Sequence, residues 1–340
     1  MSTASAMPQP DLAAILEIAN SFHRSAALKA GVELELFTAI GEGNSTVDAL
    51  VPRCGATERG IRILCDYLTV QGLLTKEDRQ YRLTPTAAAF LDQRSPSYIG
   101  TITRFLNAEV NVTRFRDLSM AVRGHGHLLE HDGAAGHDNA HWVEFARSMA
   151  PMMALPSEMI ARLVRAAGAG PWKVLDIAAG HGMFGIAIAR HNPQAEVVAV
   201  DWAPVLEVAR ENAAKASVAD RHRLLPGSAF DADFGDGYDL VLLPNFLHHF
   251  DLQTNEGLLR KLYTALKPGG RVAALEFIPN EDRVSPPVPA AFALIMLAFS
   301  EGGDAFTYPE LDRMFRKAGF AHTELHALPP TPESVVIACR

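Results

Sequence analysis

The 340-residue sequence predicts an α/β protein: a doubly wound, mostly parallel sheet preceded by a mainly helical N-terminal region. Three observations carry that expectation. Beyond residue 170, apolar runs of strand length alternate with helical patterns, as in parallel strands covered by helices on both faces. The first run, VLDI, leads into AAGHGMFG, whose glycines at 180, 182 and 185 punctuate a strand-to-helix turn. The first hundred residues show helical spacing and one hairpin-like stretch instead.

Residues 11–36 place Ala, Leu and Ile at helical spacing and read as a helix. STVDALVPRCGATERGIRILCDYLTVQGLL then reads as a helix-turn-helix and TKEDRQYRLTPTAAAF as a wing, together resembling a winged-helix module. Such modules often read DNA. Here the second helix, residues 57–72, offers only Arg59 and Arg62 beside Glu58 and Asp66, and Ile61, Ile63, Leu64, Tyr67 and Leu68 form an apolar face. With a formal net charge of −8 for the chain, no nucleic-acid surface is expected. The expected organisation is a module over residues 1–100, a helical connector over 101–165 that contributes to a substrate pocket, and the α/β domain over 166–340.

The connector contains GHGHLLEHDGAAGHDNAH, with His125, His127, His131, His137 and His141. Clustered imidazoles can bind metals, but the glycines at 124, 126, 133 and 136 make this a loop and no cysteine accompanies it. No metal site is expected. The next helical stretch, WVEFARSMAPMMALPSEMI, concentrates Met149, Met152, Met153 and Met159. Thioethers fill irregular apolar space around a flat ligand, and they fill ordinary cores equally well.

Glycines at a strand-to-helix turn permit positive φ and close backbone approach, and free amides at the helix start offer donors, so a nucleotide-like ligand is expected there. The second strand, EVVAVD over residues 196–201, ends in Asp201, about 20 residues past the glycines, where a carboxylate meets a ribose hydroxyl pair. That much suits a dinucleotide or S-adenosylmethionine equally. RHRLLPGSAF gives a third strand, and YDLVLLPNFLHHF a fourth that ends in Asn245, His248 and His249. RVAALEF, entered through the turn LKPGG at residues 266–270, is a fifth strand ending at Glu276. AAFALIMLAF, residues 290–299, is too short to cross a bilayer and reads as a buried helix or a pocket wall. SVVIACR, preceded by HTELHAL, reads as a final strand.

The run VLDIAAGHG, then VD at Asp201, FLHHF and LKPGG resemble class I S-adenosylmethionine-dependent methyltransferases. Domain order and the positions of His248 and Glu276 are similar to the small-molecule O-methyltransferases with an N-terminal winged-helix dimerisation domain, such as caffeic acid and acetylserotonin methyltransferases and bacterial antibiotic-pathway enzymes. The resemblance spans nearly the whole chain. It implies a Rossmann-like sheet, mostly parallel with an antiparallel last strand, a homodimer paired through the N-terminal module, S-adenosyl-L-methionine as cofactor with S-adenosyl-L-homocysteine as product, and no metal. The implied acceptor is a hydroxyl on a small aromatic or polyketide-like metabolite. Cofactor contacts fall on Asp176, Gly180 and Gly182 near the amino acid moiety, Asp201 on the ribose, Trp202 against adenine, Ser228 and Ala229 at its edge, and Asn245. His248 matches the family's base and Glu276 a carboxylate that orients it, with His249 as the alternative base; Phe145, Met149 and Met153 line the acceptor side.

The chemistry follows from the residue types. A phenol has a pKa of about 10, and a neutral imidazole beside it can take its proton during methyl transfer. A carboxylate next to that imidazole fixes its tautomer, and the 28 residues from His248 to Glu276 suit neighbouring strand ends joined by one helix. Departures from the family are specific. Its His-Asp-Trp reads His248-His249-Phe250, a second acid found beside the histidine in plant members is Ala305 with Asp304 adjacent, an adenosine-binding acid is Ser228, and a lysine four residues before the histidine is Pro244. Ser228 keeps the capacity to accept a hydrogen bond from adenine.

Cys54, Cys65 and Cys339 are too few and scattered for a disulfide framework, and no run reads as a signal peptide or membrane span, so a cytoplasmic location is expected. Alternative readings keep the scaffold and change the use: methyl transfer to carbon or nitrogen, or a ligand-sensing winged-helix regulator. A nicotinamide-dependent oxidoreductase would leave His248, Glu276 and the N-terminal module unexplained.

Overall fold

In a computed structural model that describes residues 11–124, 139–168 and 170–340, the chain divides into two units, Met1–Asn111 and Val112–Arg340. The boundary falls inside the expected connector.

In the first unit, the stretch expected as one helix is two, Leu12–Ala19 and Phe22–Glu33, and ends where a third, Leu36–Gly41, begins. Local chemistry breaks it. The Asn20 side-chain amide donates to Leu16 O at 2.7 Å, competing with helix continuation, and Glu35 adopts φ 52° between the second and third helices. Val47–Cys54 and Glu58–Val70 form the helix-turn-helix, their starts capped by Thr46 and Thr57, and β1 (Leu74–Glu77) pairs antiparallel with β2 (Gln80–Leu83) as the wing. Ile61, Cys65 and Leu68 turn into a core with Leu36, Phe37, Leu50 and Tyr81. Leu12, Ile15, Leu16, Ile18 and Phe22 are exposed.

The second unit is built on β3 (Lys173–Ile177), β4 (Glu196–Asp201), β5 (His222–Pro226), β6 (Tyr238–Pro244), β7 (Leu266–Glu276), β8 (His322–Ala327) and β9 (Ser334–Cys339). The sheet order is β5-β4-β3-β6-β7-β9-β8, with β9 antiparallel to both neighbours and the other pairings parallel. Strand order reverses at β3, so a crevice opens at the carboxyl ends of β3, β4 and β6. Buried Val174, Leu175 and Ile177 on β3, with Leu240, Val241, Leu242 and Leu243 on β6, give the continuous apolar runs of a sheet covered on both faces.

Two expectations are corrected. LKPGG is not a turn before the fifth strand: it belongs to β7, with Leu266 pairing Tyr238 and a register irregularity before Leu240 pairs Arg271. Gly270 permits this, because a Cβ there would lie 2.8 Å from Tyr238 O. Of the two readings of the apolar run at 290–299, the buried helix is the one corrected: the run lies in the helix Pro287–Phe299, which buries Pro289, Met296 and Ala298 and exposes Val288, Leu294, Ile295 and Leu297. A helix apolar all round carries no periodicity to say which face is covered. Among the described residues, no helix is long and apolar enough to cross a membrane.

Candidate active site

β3 delivers Asp176, fully buried, into the turn before the helix Met183–His191. Gly182 caps that helix at φ 74°, and a Cβ there would approach Ala209 Cβ to 2.9 Å. A Cβ on Gly185 would lie 2.7 Å from Val197 Cγ1 and 2.9 Å from Asp176 Oδ2, so only glycine brings its amide to that carboxylate, donating at 2.9 Å. The helix start is less open than the sequence suggests: the Met183 amide donates to His181 Nδ1 at 3.1 Å, and the Gly185 amide is the one held by Asp176. Asp176 Oδ1 is buried with no protein partner. Desolvation, with the nearby Asp201 carboxylate, pushes Asp176 up to about 8. Burial likewise lowers His181 to about 4.

β4 ends in Asp201, whose oxygens accept from the amides of Gly180 at 2.8 Å and Trp202 at 2.7 Å. Loss of water still raises this carboxyl to about 6. Asp201, Trp202, Ser228 and Ala229 line one cleft, joined by three aromatics the sequence reading did not single out: Phe230, Phe246 and Phe250. Their rings meet edge-on, Phe250 lying 4.9 Å from Phe230 and 5.0 Å from Phe246. Trp202 both lines the cleft and packs with Trp142, Ala146, Val205 and Val208. Ser228 Oγ accepts from the Phe230 amide at 3.1 Å. Lys261, also missed, donates to the carbonyls of Ala229, Phe230 and Ala232 at 3.2, 2.8 and 2.7 Å, pinning the cleft's floor.

Asn245 follows β6 at φ 52°, its Nδ2 3.6 Å from Met153 Sδ and its Oδ1 buried without a protein partner. Two orphaned acceptors, Asp176 Oδ1 and Asn245 Oδ1, thus stand at adjacent strand ends beside an aromatic slot. Acceptors for a cationic amino acid end and a slot for a flat base fit S-adenosylmethionine.

The other end of the crevice lies past β6 and β7. His248 and Glu276 are 5% and 3% exposed, and His248 Nδ1 lies 2.6 Å from Glu276 Oε2. Glu276 Oε1 accepts from the amides of Phe246 at 3.0 Å and Leu247 at 2.7 Å. Phe292 stands edge-on to His248 at 4.8 Å and stacks on Phe277 at 4.1 Å. His249 differs from its neighbour. Its Nδ1 is buried without a partner, its ring stands 6.0 Å from Trp142, and desolvation, then the adjacent His248, hold its pKa well below the usual imidazole range. Among the described ion pairs, only His248 of the two has a carboxylate against it.

The departures resolve physically. Ala305 is fully buried, the Asp304 carboxylate turns to Arg283 at 3.1 Å, and buried Pro244 closes β6 where the family has a lysine. Met153 is buried, and Met149, Met152 and Met159 pack against the same core, which holds Phe184 and Leu240. Phe145 stands half-buried, 5.6 Å from Trp142. Of the connector histidines, His141 lies 5.4 Å from Trp142; His125, His127, His131 and His137 fall outside the described residues. No group of three or more metal-ligating side chains occurs among the described residues.

A family model described as an O-methyltransferase domain matches residues 122–321, and one described as an O-methyltransferase dimerisation domain matches residues 16–93. Tetracenomycin polyketide synthesis 8-O-methyl transferase from Streptomyces glaucescens is 27% identical, over 92% of this chain and 93% of its own length. L-tyrosine C(3)-methyltransferase from Streptomyces lavendulae is 29% identical, over 92% and 88%. A crystal structure from Nostoc punctiforme, of a protein assigned as an O-methyltransferase, is 49% identical with a TM-score of 0.92, covering 98% of this chain and 100% of that one. Human N-acetylserotonin methyltransferase, solved with S-adenosylmethionine, shares the fold at 22% identity and a TM-score of 0.84, over 98% and 99%. The cofactor is S-adenosylmethionine, and the chain belongs to the S-adenosylmethionine-dependent O-methyltransferase family.

Proposed function

We propose that the protein methylates a hydroxyl of a small aromatic or polyketide-like acceptor, with His248 as general base. The observation that carries this reading is the buried 2.6 Å contact between His248 Nδ1 and Glu276 Oε2 at the ends of β6 and β7. When bound, S-adenosylmethionine supplies an electrophilic methyl group on a good leaving group. The remaining work is positioning and proton transfer. Glu276, fixed by the Phe246 and Leu247 amides, holds the proton on Nδ1 and leaves Nε2 with the lone pair that receives the acceptor's hydroxyl proton. It then stabilises the imidazolium. Phe292 and Phe277 give this corner a flat apolar wall suited to an aromatic ring and poor for water. His249, desolvated and without a carboxylate, is the weaker base. Asp176 and Asn245 receive the cofactor's amino acid end, Asp201 its ribose, and Trp202, Ser228, Ala229 and the three phenylalanines its adenine.

A second reading rests on the L-tyrosine C(3)-methyltransferase relative, whose name gives methyl transfer to carbon. Removing a phenol's proton also makes the adjacent ring carbon nucleophilic, so the same base serves both outcomes. Incubation with labelled S-adenosylmethionine and a panel of hydroxylated polyketides, simple phenols and tyrosine decides, because NMR separates an O-methyl from a C-methyl product. O-methyl products support the first reading; C-methyl products alone replace it with the second.

We also infer a homodimer through the N-terminal unit, supported by the dimerisation-domain match and the exposed Leu12, Ile15, Leu16, Ile18 and Phe22, and a cytoplasmic enzyme without a nucleic-acid partner. Sedimentation of the full chain tests the dimer: a monomer at micromolar concentration overturns it.

A further inference from the structure

Glu276 fixes the His248 ring, but the peptide that carries the ring is held from another side, by the segment at residues 300–305. The Asp304 amide donates to His248 O at 3.0 Å. Gly303 lies so close that a Cβ there would stand 2.2 Å from the same carbonyl oxygen. The Gly303 amide donates to Ser300 Oγ at 3.0 Å, and Ser300 Oγ donates to Met296 O at 3.0 Å, tying the segment to the helix Pro287–Phe299 that presents Phe292 to the imidazole.

One side chain holds the outer edge of this segment. Arg283 Nη1 donates to Asp304 Oδ2 at 3.1 Å, and Nη2 donates to Glu310 Oε1 at 2.6 Å. Glu310 is fixed in turn, its Oε2 accepting from the Thr307 amide and hydroxyl at 2.8 Å each, as the capping box of the helix Tyr308–Ala318. Arg283 itself sits at the head of a tight turn: the Asn280 amide donates to Ser285 O at 2.7 Å, and Asp282 Oδ1 accepts from the amides of Val284 and Ser285 at 3.0 Å each. The acid beside Ala305 is thereby used as a tether.

We propose that Arg283 is a positioning residue for methyl transfer: by bridging Asp304 and Glu310 it clamps the 300–305 segment onto the His248 peptide and sets where the imidazole meets the acceptor. The inference rests on His248 being the base. Partly exposed ion pairs contribute little to global stability, whereas displacing a reacting group from near-attack geometry costs rate, so the effect falls on kcat and spares folding.

The test compares wild type, Arg283→Ala, Asp304→Asn, His248→Ala and the Arg283→Ala/His248→Ala double variant, reading kcat and KM for an accepted phenol, S-adenosylhomocysteine affinity by calorimetry, and Tm. Arg283→Ala should lower kcat roughly tenfold with cofactor affinity and Tm near wild type, and Asp304→Asn, which keeps its amide on His248, should lower kcat less. The Arg283→Ala loss should vanish in the His248→Ala background, since Arg283 acts through His248. An unchanged kcat in the folded variants, or an equal loss with and without His248, overturns the positioning role and leaves the base assignment standing. Full turnover by His248→Ala overturns the base assignment instead.

Discussion

Asp176 on β3 and Asn245 just past β6 each keep a buried oxygen without a protein donor, whereas both oxygens of Glu276 at the end of β7 are taken. Asp176 Oδ1 and nearby Asn245 Oδ1 are buried acceptors without protein donors, and burial pushes Asp176 to about 8 and Asp201 to about 6. Glu276, equally buried, takes donors at 3.0, 2.7 and 2.6 Å. The first arrangement is costly until a cation arrives and so favours binding. The second needs nothing further and keeps one imidazole nitrogen aligned. Binding and chemistry are thus separable along one crevice.

The largest effect that sharpens this contrast is expected from Glu276→Gln. An amide cannot accept from Phe246, Leu247 and His248 Nδ1 together without turning its own donor on one of them, so the imidazole loses its tautomer and turnover should fall by roughly 10²-fold or more. Cofactor affinity, measured by calorimetry, should hold. Next comes Gly185→Ala, which drives a methyl group against Val197 and Asp176. Overpacking of about 1–3 kcal/mol there should weaken S-adenosylmethionine roughly 10- to 100-fold and leave kcat at saturation close to wild type.

Acidity separates the two ends further. Asp176 and Asp201 have folded pKa values near 8 and 6, above the roughly 3.9 of an unfolded aspartate, so the folded state holds more protons and loses that stabilisation as pH rises. His181 and His222, lowered to about 4 by burial, act with the opposite sign: the unfolded chain takes their protons first, and stability is lost as pH falls from about 6.5 towards 4. The pairs oppose each other below pH 6. Above about 6.5 Asp176 remains, and the ligand-free protein should lose up to about 1.4 kcal/mol per pH unit towards pH 8, seen as a falling Tm. Over the same interval S-adenosylmethionine should bind more tightly, by up to roughly tenfold per unit, because its cation prefers the ionised carboxyl. Affinity flat from pH 6 to 8 would remove Asp176 from the binding site. The smallest change is expected from Lys261→Met, which frees three carbonyls under the adenine cleft and should weaken the cofactor only a few-fold.

Legibility in the sequence follows the same divide between local and tertiary chemistry. β4 was readable to its ends because an apolar run closes on an acid, and Asp176, Gly182, His248 and Glu276 sit in motifs whose spacing reflects strand-end geometry. The break of residues 11–36 into two helices, with a third starting at Leu36, depends on Asn20 bonding back to Leu16 and on one positive φ at Glu35, which spacing does not encode. Strand pairing through LKPGG depends on a backbone approach at Gly270 that only the partner strand reveals. Nothing local marks Lys261 and Arg283, since their carbonyl and carboxylate partners lie 21 to 32 residues away in the chain. The methionine-rich helix is ambiguous in its composition, and Met149 and Met153 pack against the core while Met153 Sδ also lies 3.6 Å from Asn245 Nδ2.

The measurement that tests the central claim most directly is single-turnover methyl transfer by His248→Ala at saturating cofactor, with S-adenosylhomocysteine affinity measured on the same preparation. The account predicts a rate lower by roughly 10²-fold or more and an affinity within a factor of about two of wild type. An unchanged rate, or a loss of affinity that matches the loss of rate, would contradict the separation of the two ends of the crevice.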